Sequence, residues 1–124
     1  MLNTRALVIA TVVGTVLQVA MVVAGHSNKS IAGLFAVGGM SISLLAGLLY
    51  AVLARGGAAS QLAVGGLAAG AICAFLGILV SRLLGDVPTS LLLLGTASSA
   101  LTGALGGWLG RFIARATSVA ATGQ

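Results

Sequence analysis

The chain has 124 residues, of which 59% are hydrophobic and only 6% are charged, and its formal net charge is +5 at pH 7. Water-soluble globular domains contain about 25% charged residues. The low charged fraction of this chain, together with its mean hydropathy of +1.19, excludes such a domain. The six basic residues lie singly along the chain instead of forming a stripe, which argues against a nucleic-acid partner. We therefore expect one integral membrane domain over residues 1–124, surrounded by the lipid bilayer.

Four apolar segments are long enough to cross a bilayer, which takes about 20 helical residues. They cover residues 6–24, 31–54, 62–84 and 90–113. The breaks between them are short and contain glycine and polar residues, so neighbouring helices should run antiparallel. The predicted fold class is all-α, a polytopic bundle of four transmembrane helices, with a small and polar tail at 116–124 that should fray.

The first segment follows Arg5 and ends in small residues, as a secretory signal does. Its apolar run exceeds the about 7 to 15 residues of a signal's hydrophobic region, which favours a first transmembrane helix. Gln18 is the only amide deep within a predicted span, and in lipid it must form hydrogen bonds with another helix. Two interpretations stay open: Gln18 holds helices together, or it belongs to a polar pathway with Ser98 and Thr102.

Helices two and four share a frame of small residues at every fourth position. At a constant offset, Gly39, Ser43, Gly47 and Ala51 align with Gly95, Ser99, Gly103 and Gly107. Each set runs into an arginine, Arg55 or Arg111. The alignment predicts a tandem parallel repeat of two helical hairpins, although low-complexity helices rich in Gly, Ala and Leu also match by chance.

Helix three has Gly66, Gly70 and Ala74 at the same spacing. This glycine-zipper pattern lets helix backbones approach closely in lipid. Three of the four helices therefore present a small-residue face, which packs either within one chain or against a second copy.

The sole cysteine, Cys73, and the sole histidine, His26, have no companion ligands nearby in the sequence, so we expect no metal, no cofactor and no catalytic residues.

Basic residues and aromatic rings predict the orientation. With both termini in the cytoplasm, four arginines lie inside and two basic residues lie outside, as the positive-inside rule favours. The inner set is Arg5, Arg55, Arg111 and Arg115, and the outer set is Lys29 and Arg82. Tyr50 and Trp108 fall near the same ends as Arg55 and Arg111, so these four are predicted interface anchors. Alternatively, the two arginines bind anionic lipid headgroups or an acidic partner.

The only acidic residue, Asp86, precedes Pro88 at the start of the fourth helix. There the helix dipole stabilises its negative charge. A role as a gate is the alternative. Proton-coupled transporters usually place an acid within a span, and this chain has none there. The sequence thus favours a non-enzymatic membrane protein that acts through helix packing, as an accessory or assembly subunit or as a homo-oligomer. The alternative is a channel or small-solute transporter without proton coupling.

Overall fold

The computed structural model of the chain describes residues 3–28, 30, 35–54, 58–85 and 87–121. Four helices make up nearly all of this part, and it contains no strand. They are α1 (Thr4–Ser27), α2 (Phe35–Ala54), α3 (Ala59–Leu83) and α4 (Thr89–Ala121). The prediction of an all-α bundle of four helices is confirmed for the described residues. Lys29, Arg55 and Asp86, to which the sequence assigns roles, lie outside them.

Each helix contains a stretch that is long and apolar enough to cross a membrane, by length and composition. These stretches are Thr4–Ser27, Val37–Ala54, Ala59–Leu83 and Thr89–Ile113. They overlap the four predicted segments and are compatible with a multi-pass membrane protein.

The fourth helix is longer than predicted. It continues beyond residue 113, where the predicted span ends, to Ala121; the fraying of the tail stays a prediction. Between Arg111 and Ala121 the sequence contains several alanines and neither glycine nor proline. Alanine has the highest intrinsic helix propensity, and nothing in this stretch interrupts the helix.

The helix ends follow local chemistry. Asn3 caps α1, since its side chain accepts a hydrogen bond from the Ala6 amide at 3.0 Å, which satisfies one of the free donors at a helix start. Just after the end of α3, Gly85 has a φ of +82°, a conformation that glycine adopts without strain. Pro88 directly precedes α4, where its missing amide hydrogen is not needed.

The helices α2 and α3 occupy the middle of the bundle. Both contact α1 on one side and α4 on the other, whereas α1 and α4 barely touch. The most extensive contact is between α3 and α4. A two-fold axis relating the two hairpins would make the α1–α4 contact equivalent to the α2–α3 contact. Because these contacts differ, the packing of the four helices is not two-fold symmetric.

Small side chains form the interior. Among the described residues, the buried apolar ones are mostly alanines, and Tyr50 has the largest fully buried side chain. The outer faces present large aliphatic residues, for example Val12 on α1 and Leu101 on α4, which are 56% and 71% exposed. The residue pattern is therefore small inside and large outside.

Candidate functional site

Glycines bring the backbones of α3 and α4 into direct contact. A methyl group built at Gly103 would overlap the Gly66 carbonyl oxygen and lie 2.9 Å from the Gly70 Cα. One built at Gly70 would lie 2.7 Å from the Ser99 carbonyl oxygen. Because these neighbours are main-chain atoms, they cannot move aside as a flexible side chain does.

The backbone of α2 joins the same contact. A methyl group at Gly47 would overlap the Gly103 carbonyl oxygen and lie 2.8 Å from the Gly107 nitrogen. One at Gly107 would overlap the Leu62 carbonyl oxygen. Three helix backbones thus meet within one chain at a set of residues that we call the glycine junction: Gly47, Gly66, Gly70, Gly103 and Gly107.

Two further glycines of α4 have the same role and were not singled out from the sequence. A methyl group at Gly106 would overlap the Leu44 carbonyl oxygen, and one at Gly110 would lie 2.5 Å from the Ala51 Cβ. Gly106 and Gly110 are four residues apart, one frame away from the Gly103–Gly107 pair. That second four-residue pair was the available signal for the contact between α4 and α2.

The remaining predicted packing positions are buried or stand in looser surroundings. Ser43, Ala51, Ala74 and Ser99 are all at most 4% exposed. At Gly39, a methyl group would meet one described neighbour, the Gln18 Oε1, at 3.6 Å. At Gly95 it would meet the Ile78 Cδ1 at 2.5 Å, which is the far end of a flexible side chain. The glycine pattern therefore produces backbone contact in one half of the bundle only.

Gln18 connects α1 to α2. It is 2% exposed, and its Nε2 donates to the Gly39 carbonyl oxygen at 3.1 Å and to the Ser43 Oγ at 3.4 Å. Its Cβ packs against Gly77 of α3, where a methyl group would lie 2.6 Å away. The contacts of Gln18 are those of a residue that forms hydrogen bonds between helices. The buried thiol of Cys73, in contrast, donates to the Gly70 carbonyl oxygen of its own helix at 3.4 Å.

A cavity of about 210 Å³ lies beside Gln18, in the half of the bundle that contains the end of α3 and the start of α4. All four helices line it, and none of its described lining residues is charged. Those residues are Gln18, Met21, Val22, Gly39, Met40, Ala74, Ile78, Ser81, Val87, Leu91, Leu94, Gly95, Ser98 and Ser99. One lining residue, Ser99, also borders the glycine junction, because its carbonyl oxygen lies against Gly70.

The buried part of the cavity lining includes polar side chains, and the exposed part is mainly apolar, with Ser98 as the polar exception among its described residues. Gln18, Ser81 and Ser99 are at most 4% exposed, and the Ser81 hydroxyl has no hydrogen-bond partner among the described residues. The most exposed lining residues belong to α2 and α4, and Met40 and Leu94 are 41% and 67% exposed. The cavity therefore opens sideways between α2 and α4.

The structure brings together only part of the predicted polar pathway. Gln18 and Ser98 line the same cavity, but Thr102 does not. The Thr102 hydroxyl donates to the Ser98 carbonyl oxygen of its own helix at 2.8 Å. Hydroxyl groups in helices commonly satisfy themselves in this way, so Thr102 has no share in the cavity.

The four predicted interface anchors have different environments. Tyr50 is 1% exposed; its ring packs on Gly65, which has no side chain, and its hydroxyl accepts a hydrogen bond from the Asn3 amide at 3.0 Å. The expectation that the Tyr50 ring faces lipid headgroups was therefore wrong, because the space above Gly65 accommodates it inside the bundle.

Trp108 and Arg111, in contrast, lie on the surface of α4. Trp108 is 41% exposed and meets Phe112 edge-on at a centroid distance of 5.6 Å. The Arg111 guanidinium lies 5.4 Å from the centroid of the Trp108 ring and 4.6 Å from that of Phe112, within the range of cation–π attraction. Arg55, the counterpart of Arg111 in the sequence alignment, lies outside the described residues.

Among the described residues, no three His, Cys, Asp or Glu side chains come close enough together to hold a metal ion. In comparisons with protein-family models, curated proteins and solved structures, nothing matches this chain. The glycine junction and the cavity are therefore the features of the molecule from which a function can be inferred.

Proposed function

We propose that this chain is an integral membrane protein that crosses the bilayer four times, has both termini in the cytoplasm and acts as a rigid packing unit. It serves as an accessory or assembly subunit of a larger membrane complex, or as a homo-oligomer. The glycine junction is the observation that supports this function. Contacts between main-chain atoms have no side-chain rotamers to change, so α2, α3 and α4 form a firm unit.

The outer faces are where such a unit meets its neighbours. The glycines of the junction contact one another within the chain, so they are not available to a second copy. Most valines of α1 and most leucines of α4 are exposed on the outer faces. A subunit or second copy bound in the membrane would contact these faces in place of lipid.

The two hairpins are, in this proposal, copies of one ancestral unit. Aligned residues occupy matching places: Gly39 and Gly95 both line the cavity, Ser43 and Ser99 are both buried, and Gly47 and Gly103 both belong to the glycine junction. The unequal contacts of α1 and α4 then reflect divergence after duplication, with α4 gaining Gly106 and Gly110 at positions where α2 has Tyr50 and Ala54.

Cysteine cross-linking in native membranes tests whether an outer face meets a protein. Val12→Cys on α1 and Leu101→Cys on α4 each place one thiol on an exposed position, and the natural Cys73 is 0% exposed, so background reaction should be low. We expect a maleimide–benzophenone reagent, whose benzophenone bonds on illumination to neighbours without a cysteine, to convert one variant, and not the wild type, to a larger species whose mass distinguishes a dimer from a hetero-complex. Monomers at both positions, and a monomeric mass in lipid nanodiscs, would contradict the proposal.

The orientation has its own test. Ala58 lies just before α3, and Leu83 lies at its far end with 79% exposure. A membrane-impermeant maleimide added to intact cells should label Leu83→Cys and not Ala58→Cys. The reverse pattern would place both termini outside.

A second candidate function is a channel or a small-solute transporter without proton coupling. The observation that favours it is the cavity shared by Gln18 and Ser98. Transport across the bundle would require α2, α3 and α4 to separate at the glycine junction, where their backbones are in contact. Proteoliposomes should show uptake of small uncharged solutes such as glycerol, and Gln18→Leu should abolish it; equal uptake by wild type, variant and empty liposomes would exclude this function.

A further inference from the structure

The cavity has the shape and chemistry of a binding site. Its volume of about 210 Å³ exceeds the about 150 Å³ that accommodates benzene in an engineered protein cavity. Its described lining residues are mostly apolar and carry no charge, so a charged ligand would lose its hydration without a compensating partner. The ligand that fits is a neutral molecule with an apolar body.

One polar group in the cavity lacks a partner. Ser81 is 1% exposed, its hydroxyl makes no hydrogen bond within the described part of the chain, and its side chain lines the cavity. Buried polar groups are nearly always hydrogen-bonded, to protein or to ordered water, and a ligand hydroxyl can take the place of such a water. A hydroxyl both donates and accepts, so its natural complement is another hydroxyl group.

The mouth of the cavity indicates the route of access. Met40 and Leu94, at the opening between α2 and α4, are apolar and exposed. With the bundle in a bilayer, this opening faces the lipid chains and not water. A ligand would enter sideways from the membrane, with any part that exceeds the cavity remaining among the lipids.

We propose that this cavity binds a neutral amphiphile with an apolar chain or ring and a hydroxyl group, which enters between α2 and α4 and forms a hydrogen bond with the Ser81 hydroxyl. The route of access depends on the proposed membrane placement. The binding itself depends on neither oligomerisation nor transport, so a monomer without transport activity would still bind.

Photolabelling of the full-length protein in lipid nanodiscs tests the proposal. The probe is octanol with a diazirine group in its chain, and the matched control is an octane that has the same diazirine and no hydroxyl. Labelled residues are then identified by mass spectrometry. We expect the alcohol to label the buried cavity residues Val22 and Ala74, which are 3% and 1% exposed, about two- to tenfold more than the alkane, the ratio that one net hydrogen bond provides.

Two hydroxyl-deletion variants identify the recognising group. Ser81→Ala should fold as well as the wild type, because the deleted hydroxyl makes no hydrogen bond with any described residue, yet it should reduce labelling by the alcohol to the level of the alkane. Thr96 on α4 provides the control, since its hydroxyl is also buried without a partner but does not line the cavity. Thr96→Val should leave labelling unchanged.

A third variant tests the route. Met40→Trp enlarges an exposed residue at the mouth, and it should reduce labelling inside the cavity by both probes. Labels confined to outer residues such as Val12 and Leu101 would overturn the proposal. Equal labelling of wild type and Ser81→Ala by the alcohol would overturn it as well, because the cavity would then hold only a lipid chain.

Discussion

The two halves of this bundle contain the same glycine pattern and use it differently. At the glycine junction, the main chain of α3 occupies the space that a side chain at Gly103 would fill, and three backbones touch. In the other half, Gly39 and Gly95 belong to the same frame, but the described part of the chain brings no other helix backbone against them, and a cavity of about 210 Å³ remains. A small-residue stripe permits close approach, and the partner helix decides whether it occurs.

The largest expected effect comes from adding one methyl group at the junction. Gly103→Ala should reduce the free energy of unfolding by about 3 kcal/mol, at the upper end of overpacking costs, because the methyl group meets main-chain atoms of Gly66 and Gly70. Titration with SDS in mixed micelles, followed by the fluorescence of Trp108, the only tryptophan, measures this loss. A wild-type midpoint would show that the backbones are not in contact.

Next in size is the loss of the Gln18 amide, because the cavity half is held by side-chain hydrogen bonds where the other half has backbone contact. Gln18→Leu keeps a side chain of similar size but removes the donors to the Gly39 carbonyl oxygen and the Ser43 hydroxyl. We expect a loss of about 1 kcal/mol, typical of interhelical hydrogen bonds in membrane proteins, in the same titration. Ser41→Ala, at an exposed position of α2, is the control; a loss at Gln18 no larger than at Ser41 would mean that the amide holds nothing together.

The sequence predicted some of these features better than others. Four apolar segments and the frame from Gly39 to Gly107 are properties of single helices, and periodicity shows them directly. The burial of Tyr50 depends on Gly65 in another helix, and the contact of Gly106 depends on the Leu44 carbonyl of α2. Periodicity places residues on a face without telling which face of which helix lies opposite, so neither these pairs nor the cavity followed from the sequence.

A smaller effect is expected at Gly95, the aligned partner of Gly39. Its added methyl group would meet the Ile78 Cδ1 at 2.5 Å, and Ile78 lines the cavity, so its terminal methyl has room to rotate. Gly95→Ala should therefore lower the free energy of unfolding by less than about 1 kcal/mol, the cost of a modest rotamer adjustment. A loss as large as that of Gly103→Ala would mean that the cavity half is as tightly packed as the junction.

The smallest effect, and the one with opposite sign, is expected for Gly39→Ala. Gly39 lies within α2, and its new methyl group would meet only the Gln18 Oε1 at an ordinary contact distance of 3.6 Å. Alanine is favoured over glycine in a helix by about 0.5 to 1 kcal/mol, so the variant should be as stable as the wild type or slightly more stable in the SDS titration. Gly39→Ala and Gly103→Ala make the same chemical change, so a difference of several kcal/mol between them would measure how far the surroundings, and not the glycine itself, determine the packing. Equal losses at both positions would instead mean that each glycine is needed for its own helix geometry, and the contrast between the two halves would disappear.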